Sequence, residues 1–256
     1  MPKKQGLQSV SSNVASIVSS ARRREDRLEQ TTTTDQYQCE LCKDTGWKLV
    51  ETDQGKAYAE CDCVRRKRVD ARMRSLVQQS GLIGSLKGKS FENYTPRTQK
   101  QRDAFNVAVS EVSFFLIGPY GTGKTHLLAA SVNAAIAKMQ PAVFFSAPWL
   151  MKIIREDLLK GGSGEVLEKC CEVPYLAVDD LGKEKSSDMV QQALFMIFDR
   201  REINGLRTSV TSNYMPDTLR QEKLDGAIVD RILGMCKPVV LDGTSYRWRK
   251  AEGTGE

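Results

Sequence analysis

Nowhere does this sequence gather the roughly 20 consecutive apolar residues that a helix needs to span a bilayer. Its first residues, MPKKQGLQSVSS, contain no apolar core of the kind a secretory signal carries. Histidine is almost missing, with His126 alone among 256 residues. The first two absences argue against membrane insertion and secretion, so the expected location is the cytoplasm, with no membrane partner. The third means that a multi-ligand metal site must be assembled from donors other than imidazole. Excess charge is also missing from most of the chain. Residues 91–256 carry 21 basic and 21 acidic side chains, whereas residues 1–90 carry 17 basic and 11 acidic. The net charge of +6 therefore sits entirely in the N-terminal third. There it serves either solubility or contact with an acidic partner or nucleic acid.

What the sequence does have is a cluster of thiols. Of seven cysteines, four lie close together: Cys39 and Cys42 in CELC, then Cys61 and Cys63 in CDC. Cytosolic thiols stay reduced, so such a group reads as metal-binding rather than disulfide-bonded. Four thiolates suit tetrahedral Zn²⁺. Between the pairs, GWKLVET, DQG and KAYAE read as strand, turn and strand. That hairpin would fold the two pairs toward each other, as in a zinc ribbon. Cys170, Cys171 and Cys236 stand in or near apolar segments and read as small buried residues.

Three parts follow from the pattern. Residues 1–35 set Val10, Val14, Ile17, Val18 and Ala21 on one helical stripe before a TTTT linker. The stripe packs either on this chain or on a partner. Residues 36–88 hold the cysteines and a basic segment whose narrow apolar face is Val69, Met73, Leu76 and Val77. Residues 89–256 begin in a linker-like stretch, SLKGKSFENYTPRTQ, and then alternate strand and helix. Strands are expected at 113–117, 142–146, 175–178, 208–211 and 238–241. Alternation of this kind predicts an α/β fold with a five-stranded, mostly parallel sheet flanked by helices.

The loop GPYGTGKTH carries the chemistry. Gly118, Gly121, Gly123, Lys124 and Thr125 satisfy the P-loop pattern, with Pro119, Tyr120 and Thr122 between them and His126 just after. Glycines let backbone N–H groups converge on one anion. Lys124 reaches the β and γ phosphates, the Thr125 hydroxyl ligates Mg²⁺, and the helix that follows, about 124–139, offers its positive end. ATP and Mg²⁺ are thus the expected ligands. In YLAVDDLG two acids end an apolar strand. Asp179 is placed to hold Mg²⁺, usually through water, and Asp180 to orient or deprotonate the attacking water. TSVTSNY ends another strand in Asn213, a neutral amide that can position water beside the γ-phosphate. Arg231 in AIVDRILG is either an arginine finger for a neighbouring subunit or one half of an intrachain salt bridge. Arg247 in GTSYRWRK is either a second phosphate contact or part of a basic tail.

In this order, GPYGTGKTH, YLAVDDLG, TSN, DRI and SYR resemble the AAA+ ATPases of the DnaC/DnaI type, which load replicative helicases in bacteria and their phages. SFENY is similar to that family's approach to its ATPase domain. CELCKDTGW with CDC and a basic run is similar to the zinc-binding region of the DnaI-like branch. The resemblance implies an AAA+ P-loop fold behind a small zinc-ribbon-like domain. It implies partners too: the hexameric replicative helicase gripped by residues 36–88, single-stranded DNA, and further copies of the chain in a helical or ring-like assembly. By the same carry-over Asp180, Asn213 and Arg231 are catalytic, and Arg247 is a second sensor. DNA contacts fall on Lys152, Arg155, Lys183 and Lys185, while Trp149 reads more readily as a packed side chain than as a base-stacking one. Many relatives carry Glu where this chain has Asp180, which implies slow hydrolysis. The few residues after SYRWRK leave no room for a helical lid, so a neighbouring subunit is expected to help close the site. Two other readings compete: an IstB-like transposition helper ATPase, and a non-catalytic adaptor stabilised by ATP.

Overall fold

The computed structural model describes residues 37–53, 55–183 and 187–246. The 1–35 stripe, Lys185 and Arg247 lie outside the described residues. The chain divides into two compact units, residues 1–65 and 66–256.

In the first unit the expected hairpin is present. Strand β1 (Trp47–Thr52) pairs antiparallel with β2 (Gly55–Glu60), with Trp47 opposite Glu60 and Thr52 opposite Gly55. The CELC loop before it is tightly wound. Lys43, Asp44 and Gly46 all take positive φ, and the Asp44 carboxylate accepts from the backbone N–H of Gln38 and Cys39 at 3.1 and 3.0 Å. Glycine is needed at 46, because a Cβ there would lie 3.0 Å from the Val64 side chain in addition to the strained backbone. The hairpin returns Cys61 and Cys63 to the first pair, and all four sulfurs lie within 4.8 Å of one another.

Helix α1 (Asp62–Gln79) runs on from the second cysteine pair. Its Leu76 is buried, and Met73 and Val77 pack against the same core cluster, whereas Val69 is exposed. The sheet that follows is five-stranded and wholly parallel, in the order β4 (Ala142–Ser146), β5 (Tyr175–Leu181), β6 (Arg207–Ser212), β3 (Phe114–Ile117), β7 (Lys237–Val240). All five expected strands are found: 142–146 matches at both ends, and the ends of the others differ by at most three residues. The largest shift is in β5, which continues through both acids to Leu181.

Such a sheet must be covered on both faces, and the period-two alternation of each strand decides what goes where. Phe114, Leu116, Tyr175 and Ala177 point into one core with α2 (Gln99–Val109) and α3 (Lys124–Ala137). Phe115, Ile117, Leu176, Val178 and Val210 point into the other. There they meet α4 (Ala147–Leu159), α5 (Glu165–Glu172), α6 (Asp188–Ile203) and α7 (Gly226–Met235). Cys170, Cys171 and Cys236 are buried in this second core, as expected. At its edge Arg201 is fully buried, yet among the described residues no acid pairs with it. Instead its guanidinium donates to Thr208 Oγ1 (2.8 Å) and to the carbonyls of Cys170, Val173 and Arg207 (2.8, 2.9 and 2.5 Å). This ties α6 to the end of α5 and the start of β6. Burial lowers the Arg201 pKa to about 10, which leaves it charged at neutral pH.

The order of strands positions the site. β6 lies between the P-loop strand β3 and the acidic strand β5, so three carboxyl-terminal strand ends stand side by side. Among the described residues no helix is long and apolar enough to cross a membrane.

Candidate functional site

The loop after β3 folds back on itself through Gly118, Gly121 and Gly123, all at positive φ. All three glycines are fixed by space as well as by backbone. A Cβ at Gly118 would sit 2.3 Å from the Leu241 carbonyl oxygen, one at Gly121 1.9 Å from the Ser245 hydroxyl oxygen, and one at Gly123 2.7 Å from the Tyr94 ring. Thr122 closes the turn by donating to the Pro119 carbonyl at 3.0 Å. Lys124 opens α3, is buried, and donates to the Gly118 and Pro119 carbonyls at 2.7 and 2.8 Å and to Asn213 Oδ1 at 2.8 Å.

The two acids reach the same cleft through an irregularity in β5. Val178 pairs with Val210, but the next pair is Leu181 with Ser212. Asp179 and Asp180 therefore oppose the single residue Thr211, and Asp180 takes φ +59°. In a regular strand neighbouring side chains face opposite ways; this bulge turns both carboxylates toward the P-loop. Thr211, fully buried, fastens it. Its hydroxyl accepts from the Asp180 backbone N–H at 2.9 Å and donates to Asp179 Oδ1 at 2.6 Å. Thr125 Oγ1 lies 3.1 and 3.0 Å from the two Asp179 oxygens. Asn213 Nδ2 donates to Asp180 Oδ1 at 3.1 Å, and Lys183 Nζ stands 3.9 Å from Asp180 Oδ2. Burial pushes the Asp179 carboxyl up from its ordinary range, and the adjacent Asp180 adds to this. Hydrogen bonds from Thr211 and Thr125 pull it the other way.

The structure thus brings Lys124, Thr125, Asp179, Asp180 and Asn213 into one hydrogen-bonded group. It borders a cleft of ≈ 510 Å³. Tyr120 is exposed at the rim. His126 presents its edge to Tyr94, with ring centroids 5.2 Å apart, and its Nε2–H donates to the Ser90 carbonyl at 3.0 Å. Much of the remaining wall comes from the stretch that reads as a linker in sequence, including Leu86, Asn93, Tyr94 and Arg97. Its aromatic residues carry the only local hint of this role. The segment before Arg247 also reaches the P-loop. The Tyr246 N–H donates to the Gly121 carbonyl at 2.9 Å, and Arg97 lies 4.9 Å over the Tyr246 ring.

Arg231 stands outside this group. On α7 it pairs with Asp199 at 2.7 Å and Glu202 at 3.0 Å, and it covers the Phe195 ring at 5.3 Å. Its sequence neighbour Asp230 pairs with Arg220 instead. The reading of Trp149 as a packed side chain is corrected. The residue is 53% exposed on the first turn of α4, where the inward positions are taken by Leu150, Met151 and Ile154. Lys152 Nζ lies 5.0 Å over its ring and 3.8 Å from Glu156, and Arg155 is exposed on the same helix.

In the cysteine cluster, Cys39 and Cys61 sulfurs are 3.7 Å apart, and Cys42 and Cys63 sulfurs 3.4 Å. Sulfurs arranged tetrahedrally about an ion at ~2.3 Å would be separated by about 3.8 Å. The donor set therefore fits Zn²⁺. The Thr125 and Asp179 oxygens likewise fit Mg²⁺, since neighbouring ligands in an octahedron at ~2.1 Å lie about 3.0 Å apart.

A parallel sheet with this strand order, a glycine-wrapped lysine beside β3 and paired acids ending β5 define an AAA+ P-loop protein. A sequence profile of the IstB-like ATP binding protein family matches residues 64–253, and the chain belongs to that family. It is 27% identical over 192 residues to the uncharacterized protein YdaV of Escherichia coli K12, covering 70% of this chain and 77% of that one. It is 24% identical over 212 residues to the replicative helicase loader DnaI of Bacillus subtilis 168, covering 74% and 68%. The crystal structure of the DnaC helicase loader shares the fold, with a TM-score of 0.55 at 23% identity over 62% of this chain and 100% of that one. A crystal structure of DnaI gives 0.57 at 26% identity, over 64% and 97%.

Proposed function

We propose that this protein is an ATP-hydrolysing loader that delivers the hexameric replicative DNA helicase onto single-stranded DNA in the cytoplasm. The observation that carries the ATPase part is the β5 bulge, which aims two carboxylates at a P-loop lysine and threonine. The similarity to DnaI and the four converging sulfurs favour a loader over other members of the family.

In this reading the backbone N–H groups of the P-loop and the start of α3 bind the phosphates. Lys124 leaves the Gly118 and Pro119 carbonyls for the β and γ oxygens. Thr125 and Asp179 would hold Mg²⁺, whose contribution there is to neutralise charge on those oxygens. Asn213 and Asp180, already hydrogen-bonded to each other, orient the attacking water, and Asp180 accepts its proton. Arg231 acts in trans on a neighbouring copy after releasing Asp199 and Glu202, and Arg247 contacts phosphate in its own site. Cys39, Cys42, Cys61 and Cys63 would hold Zn²⁺, which fastens the hairpin. Lys152, Arg155, Lys183 and Lys185 contact DNA phosphates, with Trp149 available to stack on a base.

The test has two arms. DNA-stimulated ATP hydrolysis is measured for wild type and for Asp180→Ala; loss of turnover with ATP binding kept supports the enzyme. No turnover in either protein would favour the adaptor reading. Capture of a purified replicative helicase by the full chain, and not by a chain lacking residues 1–90, supports the loader. The family profile itself favours a second reading, the transposition helper, which predicts target-DNA filaments and no helicase capture.

A further inference from the structure

No residue of the two hairpin strands is buried, and the largest apolar side chains among them stand exposed. Residues directly opposite in an antiparallel pair share a face, and the face changes with each step. By the observed register one face carries Trp47, Leu49 and Tyr58, with Leu49 directly opposite Tyr58. Glu51, Lys56 and Glu60 complete that face. The other carries Lys48, Val50, Ala57 and Ala59. Trp47, Leu49 and Tyr58 are 58%, 55% and 76% exposed. On the opposite face Lys48 pairs with Asp62 at 2.7 Å.

An aromatic and aliphatic centre inside a charged rim has the anatomy of a protein-binding surface, and Trp and Tyr are the side chains that most often dominate such contacts. Exposed aromatics on a β-ribbon also suit nucleic acid, but the charge decides against it. Residues 37–65 hold four basic and six acidic side chains, and two glutamates flank the aromatic centre itself. Phosphates would be repelled there. An apolar protein surface rimmed by lysine or arginine is complementary in both respects.

We infer that the Trp47–Leu49–Tyr58 face is the docking surface for the helicase, through an apolar patch of the helicase bordered by basic side chains. The inference rests on the loader reading. It assigns the grip to the Trp47 face of the hairpin rather than to the basic segment at 65–74.

The experiment compares the full chain with Trp47→Ser/Tyr58→Ser and, as a control on the opposite face, Ala57→Ser. Affinity for purified helicase is measured by fluorescence anisotropy, with far-ultraviolet circular dichroism and ATP binding checked for each variant. A loss of about 30-fold or more in the double variant, with folding, ATP binding and the control unchanged, is expected. Unchanged affinity in the double variant would overturn the surface while leaving the loader reading intact. Failure of wild type to bind would overturn the loader reading and this surface with it. Loss of affinity for a single-stranded oligonucleotide instead would reassign the face to nucleic acid. Helicase binding by a chain lacking residues 1–36 but not by the full chain would make the chain's own N-terminal segment the occupant and overturn the inference.

Discussion

The hairpin unit and the sheet unit solve the same problem in opposite ways. The sheet unit buries Phe114, Phe115, Leu116 and Ile117 completely, along one strand, between two helical layers. The hairpin has two strands and leaves its three largest apolar side chains in solvent. About 30 residues cannot bury enough surface to offset their ordering entropy, so something else must hold them. The four converging sulfurs are the means available. Stability in one unit comes from a core; in the other, on the zinc reading proposed above, it would come from a ligand set, which leaves the apolar residues exposed.

Metal removal is the largest break in that comparison. A structural zinc site contributes on the order of 10 kcal/mol to the fold around it. Chelation, or Cys61→Ser, is expected to collapse the amide dispersion of residues 37–65 in a heteronuclear NMR spectrum. ATP affinity and the melting of the sheet unit should barely move. If the hairpin resonances persist in metal-free protein, its stability has another source.

The converse break lies at Arg201. Replacing it with alanine leaves three buried carbonyls and Thr208 without their donor. A loss of roughly 4 kcal/mol is expected in urea denaturation of the sheet unit, with the hairpin resonances unaffected. An effect below about 1 kcal/mol would mean that water or neighbouring donors satisfy those groups.

A sharper probe leaves both folds intact. Asp180→Asn keeps the size of the side chain and removes its charge. It should lower kcat by about 10²–10³-fold, or about 3–4 kcal/mol in barrier, with little change in ATP affinity. A matching loss of ATP affinity would instead assign Asp180 to ground-state binding.

These probes also divide what was legible in sequence from what was not. The P-loop, the cysteine pairs, the hairpin and the five strands are local patterns, and local patterns survive without knowledge of the fold. The bulge at Asp179–Asp180 is invisible in YLAVDDLG because it exists only against Thr211 on another strand. The stretch at 85–97 reads as a linker because its wall-forming role depends on where the P-loop lies. Trp149 reads as buried because its helix is apolar, and only the packing of Leu150, Met151 and Ile154 reveals which face is left outside. Arg231 finds its acids on α6, about 30 residues earlier, while the acid beside it pairs elsewhere.

The smallest effect tests the residue whose role the sequence hides best. Thr211→Val keeps the shape of the side chain but removes both the donor to Asp179 and the acceptor for the Asp180 N–H. A destabilisation of about 1–3 kcal/mol is expected at neutral pH, with a fall in kcat, and Thr211→Ser should restore most of both. The pH dependence separates this from simple packing loss. The folded pKa of Asp179 is raised above its unfolded value, so its burial penalises the fold only where the carboxyl is ionised. That penalty is absent below the unfolded pKa and develops as pH rises through the folded one. Removing the Thr211 hydroxyl raises the folded pKa further and deepens the penalty. The stability difference between Thr211→Val and wild type should therefore shrink as the pH is lowered toward the ordinary carboxylate range. A difference that stays constant from pH 7 to pH 4 would mean that the hydroxyl fixes the bulge without bearing on the charge of Asp179.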